Sequence, residues 1–174
     1  MSAPVDHAFD GLRKTLREVH APIDLMRQVD ELLQQQIGHK LFTILLLAAN
    51  KEDTSRVYSN NLDAYPVNRI KRMGVTLWGR QVIHAGQPYI AKNDADIQWA
   101  FPDHALIKSL GLSSALSVPI VYQGQCLAVL NLQHEDNWYR EAHVAIAESV
   151  NAFLIPEMLA LQNSLLQTQL QAPK

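Results

Sequence analysis

Residues 113–134 constrain the fold of this chain more than any other stretch. Two apolar runs, rich in Val, Leu and Ile, flank the dipeptide Gln123–Gly124, which predicts two antiparallel strands joined by a two-residue turn. A two-residue turn sets Tyr122 opposite Gln125, Ser117 opposite Leu130 and Ala115 opposite Leu132. One face then collects Ala115, Ser117, Pro119, Cys126, Ala128, Leu130, Leu132 and His134, and the other Leu116, Val118, Ile120, Leu127, Val129 and Asn131. Small residues on the first face leave room above the sheet, whereas branched residues on the second suit packing against helices.

The remaining elements follow from periodicity and punctuation. Residues 4–20 place Val5, Phe9, Leu12, Leu16 and Val19 at helical spacing, and Pro22 opens a second helix through Leu25, Val29, Leu32, Leu33 and Ile37, with Gly38 just past its end. Residues 41–49 lack polar alternation and read as a strand covered on both faces, with a loop at 50–53 and a returning strand at 54–59. The polar, turn-rich span 60–73 is expected to be a mobile loop. A short helix at 75–85, a strand at 88–91, a helix capped by Asn93 or Asp94, and another at 103–110 come before the hairpin. One long helix from about residue 137 to 170 closes the chain, and Pro156 is expected to bend it.

With 174 residues there is room for one domain with a pocket inside its core, and 48% hydrophobic against 18% charged residues is the balance of a globular fold. A formal charge of −2 offers no general attraction to nucleic acid or an anionic membrane. No apolar run approaches bilayer-spanning length and no signal-peptide pattern opens the chain, so a soluble cytoplasmic protein is expected. A single cysteine, Cys126, supplies no internal disulfide and no thiolate zinc site. His134-Glu135-Asp136 and Asp103-His104 lack metal-ligand spacing, and no metal and no cofactor are expected.

The wording Ser-x-Leu-x-Val-Pro-Ile over residues 114–120, then Gly124 and Ala128-Val129-Leu130-Asn131-Leu132, resembles the last two central strands of a GAF domain. The resemblance implies an α+β fold related to PAS domains: an antiparallel sheet of five to six strands, terminal helices on one face and pocket-forming segments on the other. It covers a core of about residues 23–159 within a single domain with helical extensions. In bilin-binding members a hydroxyl residue and a His at the positions of Ser117 and His134 face the chromophore, so the resemblance places both in a pocket. No Cys stands where bilins attach, and Lys92-Asn93-Asp94 has the wrong order for the cyclic-nucleotide motif.

The candidate site therefore has Ser117, Leu130 and His134 as its floor and Trp78, Tyr89, Trp99, Phe101 and His104 as its roof, where large rings could stack on a planar or apolar ligand. Arg56, Arg69, Lys71, Arg72 and Arg80 could hold a carboxylate or phosphate at its mouth. No residue is expected to be catalytic. The expected function is a stand-alone sensor or regulatory protein that binds a small organic molecule, acts as a homodimer through its terminal helices, and signals through a partner. Two alternatives stay open: a small-metabolite enzyme of reductase type on the same scaffold, and a pure dimerisation or scaffold module whose cavity is filled by side chains.

Overall fold

The computed structural model describes residues 5–171. Pro4, the expected start of the first helix, and the last three residues lie outside them. Six antiparallel strands form one sheet: β1 (Leu41–Leu47), β2 (Asp53–Ser59), β3 (Ile70–Arg72), β4 (Tyr89–Ala91), β5 (Ser114–Tyr122) and β6 (Gln125–His134), in the order β3-β2-β1-β6-β5-β4. The two long central hairpins meet along β1 and β6. Residues 60–73, expected as loop throughout, thus end in an edge strand, because β3 pairs with β2 through Ile70 and Ser55.

The β5–β6 turn is the two-residue one, with φ of 49° at Gln123 and 75° at Gly124 and with Tyr122 opposite Gln125. Beyond it the register departs from the simple count. Val121 pairs with Cys126 but Ile120 pairs with Ala128, so Leu127 is a bulge. One extra residue on a strand reverses the face of everything that follows. Ser117 therefore stands opposite Asn131, not Leu130. Ala128, Leu130 and Leu132 join Leu116, Val118 and Ile120 under the helices, while Val129, Asn131 and Gln133 turn to the other face. The bulge has a simple physical consequence: it buries Leu130 and Leu132 in the main core and leaves the amides of Asn131 and Gln133 on the opposite face.

That main core lies between the sheet and α3 (Pro22–Gln36), α7 (Glu141–Glu148) and α8 (Asn151–Gln171). On α3, Leu25, Val29, Leu32 and Leu33 recur at helical spacing and are all buried. The helix ends as expected at Gly38, whose φ of 86° lets its N–H reach the Leu33 carbonyl at 3.0 Å. Asp30 ties α3 to the sheet by accepting the Tyr58 hydroxyl at 2.5 Å and pairing with His39 Nε2 at 2.9 Å.

Both ends of the chain differ from expectation. The first helix is broken into α1 (Val5–Ala8) and α2 (Asp10–Arg17), and of its apolar stripe Leu12 is buried, Phe9 stacks on Phe153 at 5.6 Å, and Val19 is fully exposed. The last helix bends by 59° between α7 and α8. Ser149 turns its hydroxyl back onto the Ile146 carbonyl at 2.5 Å there and Val150 drops into the core, while Pro156 is carried inside α8. Leu161 and Leu165, expected beyond the domain body, pack against the main core, and Leu166 is exposed. Among the described residues no single helix is long and apolar enough to cross a membrane.

The opposite face of the sheet is covered by α4 (Leu77–Gly79), the π-helical turn Arg80–His84 that continues it, α5 (Asp94–Ala100) and α6 (His104–Ser109). Asn93 caps α5, its side chain accepting the Asp96 N–H at 3.0 Å. Two smaller apolar clusters hold this layer down, one around Ile97 and Ile107, the other around Trp78, Val82 and Ile83. Neither fills the space between them.

Candidate functional site

Between these clusters a cavity of about 390 Å³ lies over the middle of the sheet. Leu41, Thr43 and Leu45 of β1, Arg56 of β2, and Asn131 and Gln133 of β6 form its floor, which is the strand alternation of one sheet face. Trp78, Phe101, Tyr65 and Met73 stand around it. A smaller pouch of about 160 Å³, lined by Arg69 and Pro66, opens off its Arg56 side and shares Arg56, Tyr65, Lys71 and Asp103 with it.

The expected site residues separate into four groups. Trp78 and Phe101 line the cavity, their rings 5.9 Å apart and tilted by 47°. Tyr89, Trp99 and His104 are not among its lining residues. Trp99 instead stacks on Tyr89 at 5.0 Å on the outside of the layer and is 45% exposed. Tyr89 donates to the Asp96 carbonyl at 3.1 Å, and burial pushes its hydroxyl up to about 12. Leu130 belongs to the helix-side core. His134 follows the same alternation to that side, where it stacks on Trp138 at 3.6 Å and its Nδ1 accepts the Glu135 N–H at 2.8 Å. Burial lowers the pKa of His134. Ser117 and His134 are therefore on different faces of the sheet, for the same one-residue reason as Leu130.

Ser117 stays on the cavity side but is fully covered by Trp78. An indole N–H can only donate, so the Trp78 Nε1 contact at 3.1 Å makes the Ser117 oxygen the acceptor. Its own proton then goes to Asn131 Oδ1 at 2.7 Å. This chain fixes the orientation of the Asn131 amide and turns its Nδ2 away from Ser117. Next along the strand, Gln133 is buried and its Oε1 has no hydrogen-bond partner. Asn131 and Gln133 were missed by the sequence reading, although polar amides at i and i+2 inside an apolar strand are a visible signal.

Of the candidate cations, Arg56, Arg69, Lys71 and Arg72 reach the cavity or its pouch, and Arg80 does not. Arg72 is held by Glu52. Arg56 is half-buried, donates to the Pro66 carbonyl at 3.2 Å, and lies 4.7 Å from the centroid of the Tyr65 ring. Burial pulls its pKa below the ordinary guanidinium value. Asp103, the acid of this cavity, accepts the Tyr65 hydroxyl at 2.8 Å. Cys126 is buried, with burial pushing its thiol up to about 12, which makes it a poor nucleophile at neutral pH. Among the described residues no three His, Cys, Asp or Glu side chains come together as a metal-ligand group.

A helix-backed antiparallel sheet of this order, with a cavity over its other face, agrees with the comparison to known families. The GAF domain model matches residues 20–152. The chain belongs to the GAF domain family. Among solved structures this GAF domain is similar to that of an Acinetobacter phosphoenolpyruvate-protein phosphotransferase, with a TM-score of 0.71, 17% identity, and coverage of 92% of this chain and 95% of that one. The GAF domain of a two-component sensor histidine kinase from Bacillus halodurans matches with a TM-score of 0.68 at 15% identity, covering 84% and 99%. The chromophore-binding domain of a bacteriophytochrome from R. palustris matches with a TM-score of 0.61 at 10% identity, covering 94% of this chain and 64% of that one. These identities speak for the fold alone. No match was found among curated proteins. GAF domains are typically ligand-binding sensor or regulatory modules.

Proposed function

We propose that this GAF domain is a small-molecule sensor whose ligand occupies the cavity over β1, β2 and β6. The observation that carries the reading is the cavity itself. A space of about 390 Å³ falls in the size range of small-ligand pockets, and it combines apolar walls with a few fixed polar groups. A filled interface of side chains, as a pure scaffold requires, would close it. The helix on the far side of the sheet is tied to strands of both hairpins: Asn151 donates to the Pro119 carbonyl at 3.1 Å and Gln162 to the Leu47 carbonyl at 2.8 Å. A shift of the strands on ligand binding is thereby passed to α8. Action as a homodimer through the terminal helices and signalling through a partner are part of the same proposal, supported by exposed Leu16 and Leu166.

Native mass spectrometry of freshly purified protein tests the reading. A co-purified small molecule is expected on the wild type and not on Thr43→Phe, which raises a ring from the cavity floor. No adduct, together with no thermal shift from any member of a metabolite collection, defeats it. For the dimer, Leu166→Glu should give a monomer by light-scattering chromatography, and a monomeric wild type at high concentration removes that part of the proposal.

A further inference from the structure

Arg56 presents a charge that the protein itself does not neutralise. Its guanidinium is half-buried and its Nε is buried without a hydrogen-bond partner. Among the described residues no carboxylate forms an ion pair with it, and the same holds for Arg69 and Lys71 beside it. Asp103 contributes attraction from a distance but is engaged by Tyr65. Desolvating a cation without a counter-ion is costly, and a bound anion offsets that cost by charge-assisted hydrogen bonds.

The other end of the cavity is polar but neutral. Asn131 Nδ2 is a donor set in place by Ser117, and Gln133 Oε1 is an unpartnered acceptor. Arg56 lies opposite Leu45, and Asn131 opposite Thr43 on the far side of β1. Two strands and two residues separate their backbones by roughly 12 Å, before either side chain reaches inward.

We propose that the ligand is a small organic anion, its carboxylate or phosphate seated against Arg56 and flanked by Arg69 and Lys71, its neutral polar end hydrogen-bonded to Asn131 and Gln133. This inference rests on the cavity being the ligand site.

Thermal shift measurements with matched probes test it, each at millimolar concentration. Succinate and N-acetylglycine form the carboxylate arm, inorganic phosphate and glycerol 3-phosphate the phosphate arm, and succinamide, N-acetylglycinamide and glycerol the neutral counterparts. At least one anion is expected to raise Tm in a concentration-dependent way while its neutral counterpart does not. The arm that responds identifies the head group. Arg56→Gln, checked for folding by circular dichroism, should weaken that probe roughly 10- to 100-fold. Arg69→Gln and Lys71→Gln, at the more open pouch, should weaken it less.

A neutral counterpart as effective as its anion overturns the proposal, as does Arg56→Gln retaining the wild-type shift, or the absence of any shift from both arms. A neutral molecule co-purified in the cavity overturns the anion assignment alone and leaves the sensor reading standing. An anion whose shift survives Thr43→Phe binds outside the cavity and likewise overturns the anion assignment alone, whereas a wild type with no co-purified molecule and no shift from any metabolite overturns both.

Discussion

Replacing Ser117 by Ala removes one oxygen and leaves two groups without partners. Trp78 Nε1–H loses its acceptor under a ring that is 5% exposed, and Asn131 Oδ1 loses its donor at the cavity floor. A buried orphan costs about 1–3 kcal/mol. Asn131 borders the cavity, where solvent can take over, so its share falls at the low end. The sum is about 2–4 kcal/mol, or a Tm lower by roughly 4–16 °C for a domain of this size. Urea denaturation measures it as a shift of midpoint at constant m-value. Trp78→Phe on the Ser117→Ala background removes the orphaned donor together with its lost acceptor. Its cost should then be smaller than in the wild type by about 1 kcal/mol or more. A loss under about 0.5 kcal/mol for Ser117→Ala, or strict additivity of the two changes, refutes the hydrogen-bonded chain and with it the fixed Asn131 amide.

Cys126 should be inert: in native protein at pH 8 a thiol reagent is expected to label it only on the timescale of unfolding, and Cys126→Ala should keep fold and ligand response, with rapid native labelling as the contrary result. His20 bonds the Glu18 carbonyl at 3.0 Å and pairs with Glu157 on α8 at 2.9 Å, and these contacts raise its pKa above 6.5. Their stabilisation is fully present below pH 6.5 and is lost as pH rises through the raised value, so the Tm gap between wild type and His20→Gln should close from pH 6 to pH 9, and a gap that widens refutes the pairing. Gly38→Ala should cost about 1–2 kcal/mol by chemical denaturation, because a Cβ meets a positive φ there and approaches Trp138 to 3.1 Å. A neutral effect would show that this helix end relaxes freely.

Much of the architecture was legible in local sequence because its causes are local. Leu25, Val29, Leu32 and Leu33 name the buried face of α3 by spacing alone, Gly38 marks its end, and Gln123–Gly124 sets the tightest turn. The motif in β5 and β6 was enough to indicate the family. Trp78 and Phe101 were found as cavity rings because both lie in the segments that cross the sheet. The tertiary structure decided the rest of the site. A bulge at Leu127 leaves no mark in composition, yet it moves Leu130 and His134 to the helices and brings Asn131 and Gln133 to the cavity. Which face a strand residue takes depends on a count carried across two paired strands, and a single uncounted residue inverts it. Likewise, Arg56, Lys71 and Asp103 are far apart in the chain, and only the pairing of β1, β2 and β3 and the packing of α6 above them make them neighbours. Most elements and the family were thus legible locally, whereas the β3 edge strand and the helix breaks at Phe9 and near Ser149 were not. The tertiary structure alone decided which side chains share one space, because that depends on register and on packing between segments distant in the chain.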